Sequence, residues 1–352
     1  MSHCLETVHL LGTRIKIEGF PFISQDSDAT VCAQSALWML LRYYSNRYEW
    51  YSEILPFQIT NLATNHAVGS RVYPSAGLYS WQLAEALRLQ RFAPVVYSRA
   101  QFTHFEHLLY TYIESGLPLL ITVPGHVVVA HGHSSDYTKA VAPAAGTSIY
   151  TSEFNEAFII SDDNCHPYQA LRRAGPTGPK DSTYDWSVIQ EFIVPLPEKA
   201  FLSAEHAQSA IDIVLNDPAT GIAANSPLLA GKSLLRRLYL TSARSFKRHL
   251  RERVMGNTRV EELYRRLPMP HFIWVCEIAD RDEYTADKKI LGEVIWDATR
   301  NAHEPDGWIA LHYPEKLFLD SGAAFNRRQE VLEIPLNQSN SYSLFTSNLH
   351  TL

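Results

Sequence analysis

The sequence predicts an α+β protein built in two parts, and three observations carry that prediction. A helix-period apolar stripe opens the chain's first substantial element, with Ala36, Met39, Leu40 and Tyr43 at i, i+3, i+4 and i+7. Short apolar or alternating runs separated by turn residues follow between 92 and 197. From about 198 the pattern changes, with one helical run and then three β-rich runs. A chain of 352 residues is long enough for one large domain or two. We place the parts at 1–197 and 198–352, the second an α+β region packed on the first or independent of it.

Each element has its own signal. Residues 7–24 read as short strands and a turn, from the alternation in TRIKIEGF. Helices are expected over 31–45, over 79–90 after the turn-forming VYPSAG, and over 101–116, where Gly116 ends the last. Strands are expected at 92–98, 118–124, 126–133, 156–161 and 188–197. A Gly/Ala/Pro/Ser-rich connector occupies 140–152, and PTGPKDST at 176–183 reads as a loop. In the second part, AEHAQSAIDIVLND is helical and PATGIAANSP is a loop. LLRRLYLTSARSFKRHLRERV leads into a basic helix. The runs 271–279, 290–299 and 307–319 are β-rich, with Trp274, Trp296 and Trp308 as buried sheet positions.

Composition, at 46% hydrophobic and 19% charged, is that of a globular protein without an apolar run long enough to span a bilayer. The N-terminal residues lack the basic and apolar regions of a secretion signal. Four cysteines without CxxC spacing suit a reducing compartment, so a cytoplasmic location and no membrane partner are expected. The net charge of −6 hides an asymmetry. Residues 232–266 hold eleven Lys/Arg against three Glu, a segment of +8 that leaves −14 on the remainder. Such an island suggests an acidic partner, nucleic acid included, although a solvated cationic face is the commoner origin.

A thiol nucleophile needs a base, a group orienting that base, and donors for an oxyanion. Cys32 stands where a polar, turn-rich run gives way to the apolar helix, with Asp28 or Thr30 available as N-cap. The helix dipole favours an anion there by only about 0.3–1 kcal/mol, so an imidazolium neighbour has to supply the rest. His126 begins an apolar strand after VPG, and strict alternation puts His131 and His133 on its opposite face. Asp162 and Asp163 follow FIIS at the end of the next strand. Alternation turns one of them toward an imidazole Nδ1 and the other to solvent, and Asn164 is a further candidate acceptor. Gln25, seven residues before Cys32, is a candidate oxyanion donor.

The order Gln25, the helix CAQSALWMLLRYY, SGLPLLITVPGHVVVAHGH and FIISDDN resembles the papain-like cysteine peptidases, most closely the compact bacteriocin-leader (double-glycine) peptidase branch. The resemblance covers about residues 20–197. It implies a papain-like α+β fold in which a helix bearing cysteine packs on an antiparallel sheet bearing His and Asp. It implies hydrolysis of a peptide or amide bond in a protein or peptide substrate, through a thioester and without metal or other cofactor. It assigns Cys32 as nucleophile, His126 as base, Asp162 as orienting residue and Gln25 as oxyanion donor. Ala33 stands where that family has glycine, Asp163 where it has proline, and the glutamine lies farther upstream than usual.

Three rival readings fit the same residues. A metal centre could draw on His126, His131, His133, Asp162, Asp163, Cys165 and His166. An acyltransferase, deamidase or modifier-deconjugating enzyme would use the same thiol. A non-catalytic binding protein would use the basic segment 232–266, where Phe246, Leu250 and Val254 form an apolar stripe. No GxGxxG, GxxxxGK[ST] or GxSxG pattern supports nucleotide or serine chemistry.

Overall fold

The computed structural model describes residues 1–24, 32–64, 78–139, 148–253, 258–301, 307–320, 331–336, 341–346 and 348–349. The chain is a mixed α+β protein that divides into two compact units. One comprises residues 1–135, 155–198 and 349–352, the other 136–154 and 199–348. The segment expected to be a plain connector therefore contributes to the second unit.

In chain order the first unit begins with the hairpin β1 (Cys4–Leu10) and β2 (Thr13–Gly19). The helices α1 (Cys32–Arg47), α2 (Pro56–Thr64) and α3 (Ser80–Leu89) follow. Next come β3 (Phe92–Ser98), α4 (Phe105–Glu114), β4 (Leu119–Val123) and β5 (His126–Ser135). The strand β6 (Ser148–Tyr150) belongs to the second unit. The chain then returns with β7 (Asn155–Ser161), β8 (Gln169–Arg172), β9 (Asp181–Asp185) and β10 (Glu191–Pro197). The seven strands after the hairpin form one sheet in the order β3-β10-β4-β5-β7-β8-β9, antiparallel except for the β8–β9 pair.

The stripe that predicts α1 is its core face: Ala36, Met39, Leu40 and Tyr43 are all buried, and the helix packs on β4 and β5. Burying a Leu or Met side chain contributes roughly 1.5–3 kcal/mol, so this face anchors the helix to the sheet. The β4–β5 hairpin turns on Pro124-Gly125, with Gly125 at φ 72° and Val123 paired to His126. Proline followed by a residue of positive φ suits a tight turn, and it sets His126 at the first position of β5.

Two expectations fail here for local reasons. Residues 176–183 are not all loop, because the Asp181 carboxylate accepts from the Thr177 and Gly178 N–H groups and from Arg172 Nε, which starts β9. The alternation along β5 also breaks. A bulge between Ala130 and Gly132 separates His131 from His133.

The second unit contains α5 (Ala204–Asn216), α6 (Ile222–Asn225), α7 (Pro227–Ala230), β11 (Leu234–Ser242), α8 (Ala243–Arg248) and α9 (Thr258–Arg266). It continues through β12 (Phe272–Asp280), α10 (Arg281–Asp287), β13 (Lys289–Ile290) and β14 (Gly292–Asp297). Strands β15 (Trp308–His312), β16 (Lys316–Asp320), β17 (Val331–Pro335) and β18 (Tyr342–Ser343) complete it. The main sheet runs β17-β16-β15-β14-β12-β11-β6, with β6 parallel to β11. The run 307–319 is two strands, because the chain reverses at Pro314-Glu315 with Tyr313 and Lys316 bonded to each other. Trp274, Trp296 and Trp308 are buried in this sheet.

Five of the eleven cations in the basic segment pair within the chain. Lys232 pairs with Asp280 and Glu283, Arg236 with Asp212, Arg237 with Glu277, Arg253 with Glu277 and Glu293, and Arg265 with Glu261. In place of a long amphipathic helix there is the short α8 and a single 3₁₀ turn, with Phe246 and Leu250 buried. Val254 lies outside the described residues.

Arg237, Glu277, Glu293 and His312 are successive cross-strand partners, so a charged row crosses the apolar face of this sheet. Glu277 accepts from Arg237 at 2.8 Å, from Arg253 at 3.0 Å and from the Phe345 N–H at 2.8 Å. Removing one partner of a buried pair leaves the other charge uncompensated, at about 3–5 kcal/mol. Glu277→Ala is therefore expected to lower the stability of the second unit by about that amount in urea denaturation followed by tryptophan fluorescence. An unchanged midpoint would mean that the row contributes nothing to stability.

Candidate active site

Three elements deliver the site. Cys32 is the first residue of α1, His126 the first of β5, and Asp162 and Asp163 follow Ser161, the last of β7. Because β7 runs antiparallel to β5 with Ser161 opposite Val129, the residues after Ser161 continue toward the His126 end. All four side chains are buried.

His126 Nε2 lies 2.8 Å from Asp162 Oδ1 and 3.5 Å from Asp163 Oδ1. The Cys32 side chain also hydrogen-bonds to this imidazole. With Nε2 engaged by Asp162, Nδ1 is the nitrogen left for the sulfur. The orienting carboxylate thus meets Nε2, where the sequence reading expected Nδ1. Burial opposes charge on the ring, but the hydrogen bonds and negative charges of Asp162 and Cys32 outweigh it and raise its pKa to about 10. Burial likewise opposes the Asp162 anion. The His126 bond and the Asn164 N–H, 3.0 Å from Oδ1, still hold Asp162 below the usual carboxylate range.

The expectation that one aspartate faces solvent is wrong, since both are only 3% exposed. The sharp turn after β7, closed by Cys165 N–H to Asp162 O, replaces strand alternation with a geometry that keeps both carboxylates inside. Burial raises the Asp163 pKa against the lowering effects of His126 and Ser35. Ser35 sits one turn along α1 from Cys32, yet neither Asp163 oxygen receives a hydrogen bond of ordinary geometry among the described residues. Asn164 contributes through its backbone, and its side chain is exposed. Gln25, Asp28 and Thr30 lie outside the described residues.

The other candidates go elsewhere. His131 is buried, stacks on Phe20 at 4.3 Å and bonds to Ser161 Oγ, and burial depresses its pKa to about 3. His133 pairs with Glu114 beside Tyr110. Cys165 and His166 are exposed. Among the described residues, the group with metal-ligand proximity is His126, Asp162 and Asp163 alone, not the larger set drawn from the sequence.

Two neighbours escaped the sequence reading. Ser35 follows Cys32 by three positions, a helical spacing that would have found it. Tyr184, in β9, holds its ring 6.4 Å from that of His126 and carried no local signal. Compared with known proteins, the chain matches no family model, no curated protein and no solved structure.

A ring whose pKa is raised on folding contributes stability that is complete below its unfolded value. For His126 that contribution is present below about 6.5, the ordinary histidine value, and is lost as pH rises through about 10. Imidazole NMR on His126 should show a doubly protonated ring at pH 8, and Asp162→Asn should shift its titration downward. A ring already neutral at pH 7.5 would contradict the geometry described.

Proposed function

We propose that this chain is a papain-like thiol hydrolase that cleaves a peptide or amide bond through a thioester. The observation that supports the reading is a single imidazole bonded to both a carboxylate and a thiol brought from distant parts of the chain. A ring that holds its second proton beside sulfur is the partner a thiolate needs. On this reading Cys32 Sγ attacks the substrate carbonyl, and His126 Nδ1–H passes its proton to the departing amine as the C–N bond breaks. His126 then takes a proton from water, which attacks the thioester and releases the carboxylic acid and the Cys32 thiolate. Asp162 keeps Nε2–H fixed throughout and is a positioning residue. At the first turn of α1, backbone N–H groups without helical partners face the developing oxyanion. Gln25 is assigned beside them from the resemblance alone.

Deamidation, transglutamination and deconjugation of a modifier share the thioester and differ in what resolves it. Binding through the basic segment would rest on Arg244, Arg248, Arg251, Arg259 and Arg266, which are exposed, since five other cations of the segment pair within the chain.

Alkylation by iodoacetamide with peptide mass spectrometry tests the reading without a known substrate. Cys32 should react ahead of the other three cysteines. Cys276 is fully buried, and burial pushes its pKa to about 12, so it should stay unmodified in the folded protein. Cys165, although exposed, is held protonated to higher pH by burial of its sulfur and by the Asp162 charge. His126→Ala should slow Cys32 alkylation and, once a substrate is in hand, reduce turnover by about 10²–10⁴. Equal and slow modification of all accessible cysteines would remove the proposal.

A further inference from the structure

The reaction proposed above leaves Asp163 without work. Its carboxylate is buried, lies 3.5 Å from His126 Nε2, has Ser35 as its polar neighbour and, among the described residues, receives no hydrogen bond of ordinary geometry at either oxygen. The His126 imidazolium at that distance and Ser35 offset only part of the cost of burying this carboxylate, and a closer cation would offset more of it. The His126 nitrogen and one oxygen from each of Asp162 and Asp163 all lie within 4.8 Å of one another.

We propose that His126 Nε2, Asp162 and Asp163 form a reversible Zn²⁺ site on the carboxylate side of the imidazole, which silences Cys32 without using its sulfur as a ligand. The spacing approaches what zinc needs, with separations of up to 4.8 Å that have to close on binding. Bonds of about 2.0–2.2 Å at tetrahedral angles put neighbouring ligand atoms about 3.3–3.5 Å apart. The His126–Asp162 contact must open from 2.8 Å, whereas Asp163 is already at 3.5 Å. An imidazole with two carboxylates favours zinc over magnesium or calcium, which take more oxygen ligands. The Asn164 N–H on Asp162 already orients one of these ligands from outside.

Binding replaces the Nε2 proton, which leaves to solvent, and it replaces the His126–Asp162 hydrogen bond with two bonds to the metal. The ring then carries a dication on one nitrogen and is a poorer base at the other. The silencing rests on the thiol reading, whereas the metal binding does not.

The test is calorimetric titration of ZnCl₂ into the full chain carrying Cys32→Ala. One zinc per chain is expected, and Asp163→Asn added to it should weaken binding by at least about 10–100-fold. In the otherwise unaltered protein, zinc should slow iodoacetamide modification of Cys32, and EDTA should restore it. Co²⁺ substitution should give no thiolate-to-metal absorption band in protein that keeps Cys32. Asp163→Ser serves as a second ligand-free variant if the asparagine does not fold.

Loss of zinc binding with Cys32→Ala, or binding indifferent to Asp163→Asn, would overturn the site. Zinc that resists EDTA and is required for turnover would overturn both the site as a reversible switch and the thiol mechanism. Zinc binding as expected, beside a Cys32 inert in metal-free protein, would remove the thiol mechanism and leave the metal site standing.

Discussion

The imidazole of His126 is gripped from two directions, and much of the first unit's architecture is what that grip requires. The ring needs β5 to start at one defined residue, which the Pro124-Gly125 turn enforces through a positive φ. It needs the carboxylates to follow β7 on the neighbouring strand. It needs α1 to be pinned to the sheet so that its first residue stays beside the ring. The apolar face of α1 does this with Ala36, Met39 and Leu40, all fully buried. A core packed at crystal-like density has little freedom to let the first turn drift. The same packing that stabilises the helix thus holds the distance between sulfur and nitrogen.

Two carboxylates share one ring, and they are not equivalent. Asp162 has both the histidine and a backbone N–H, and it stays ionised more readily than a free aspartate. Asp163 lies farther from the histidine, at 3.5 Å, and burial outweighs its polar neighbours and pushes it the other way. Adjacent in sequence, they are separated in character by the hydrogen bonds each receives. Such splitting is a recurrent way of giving neighbouring acids different roles.

Much of the framework was legible in the sequence. Period 3.6 identified α1, turn residues marked the start of α3, and apolar runs identified β3, β4, β5, β7 and β10, because burial of one face imposes those repeats. Cys32, His126 and Asp162 were readable as candidates because each falls at an element boundary, where turn residues mark the chain. Other features had no local signal. The β5 bulge depends on how that strand pairs with β7, so the separation of His131 from His133 was hidden. The pairing of β6 with β11 joins residues far apart along the chain. The charged row through Glu277 looked like a surface island, because the carboxylates that neutralise its arginines lie on other strands.

Taken alone, the residue order determined the elements, their approximate limits and the chemical types at their ends, since propensity, periodicity and turn chemistry act within a few residues. Tertiary structure alone decided which ring nitrogen meets the carboxylate, that both aspartates are buried, and that five cations of the basic segment pair inside the fold. Those outcomes depend on desolvation and pairing between groups distant along the chain, which only the assembled sheets and helices bring together.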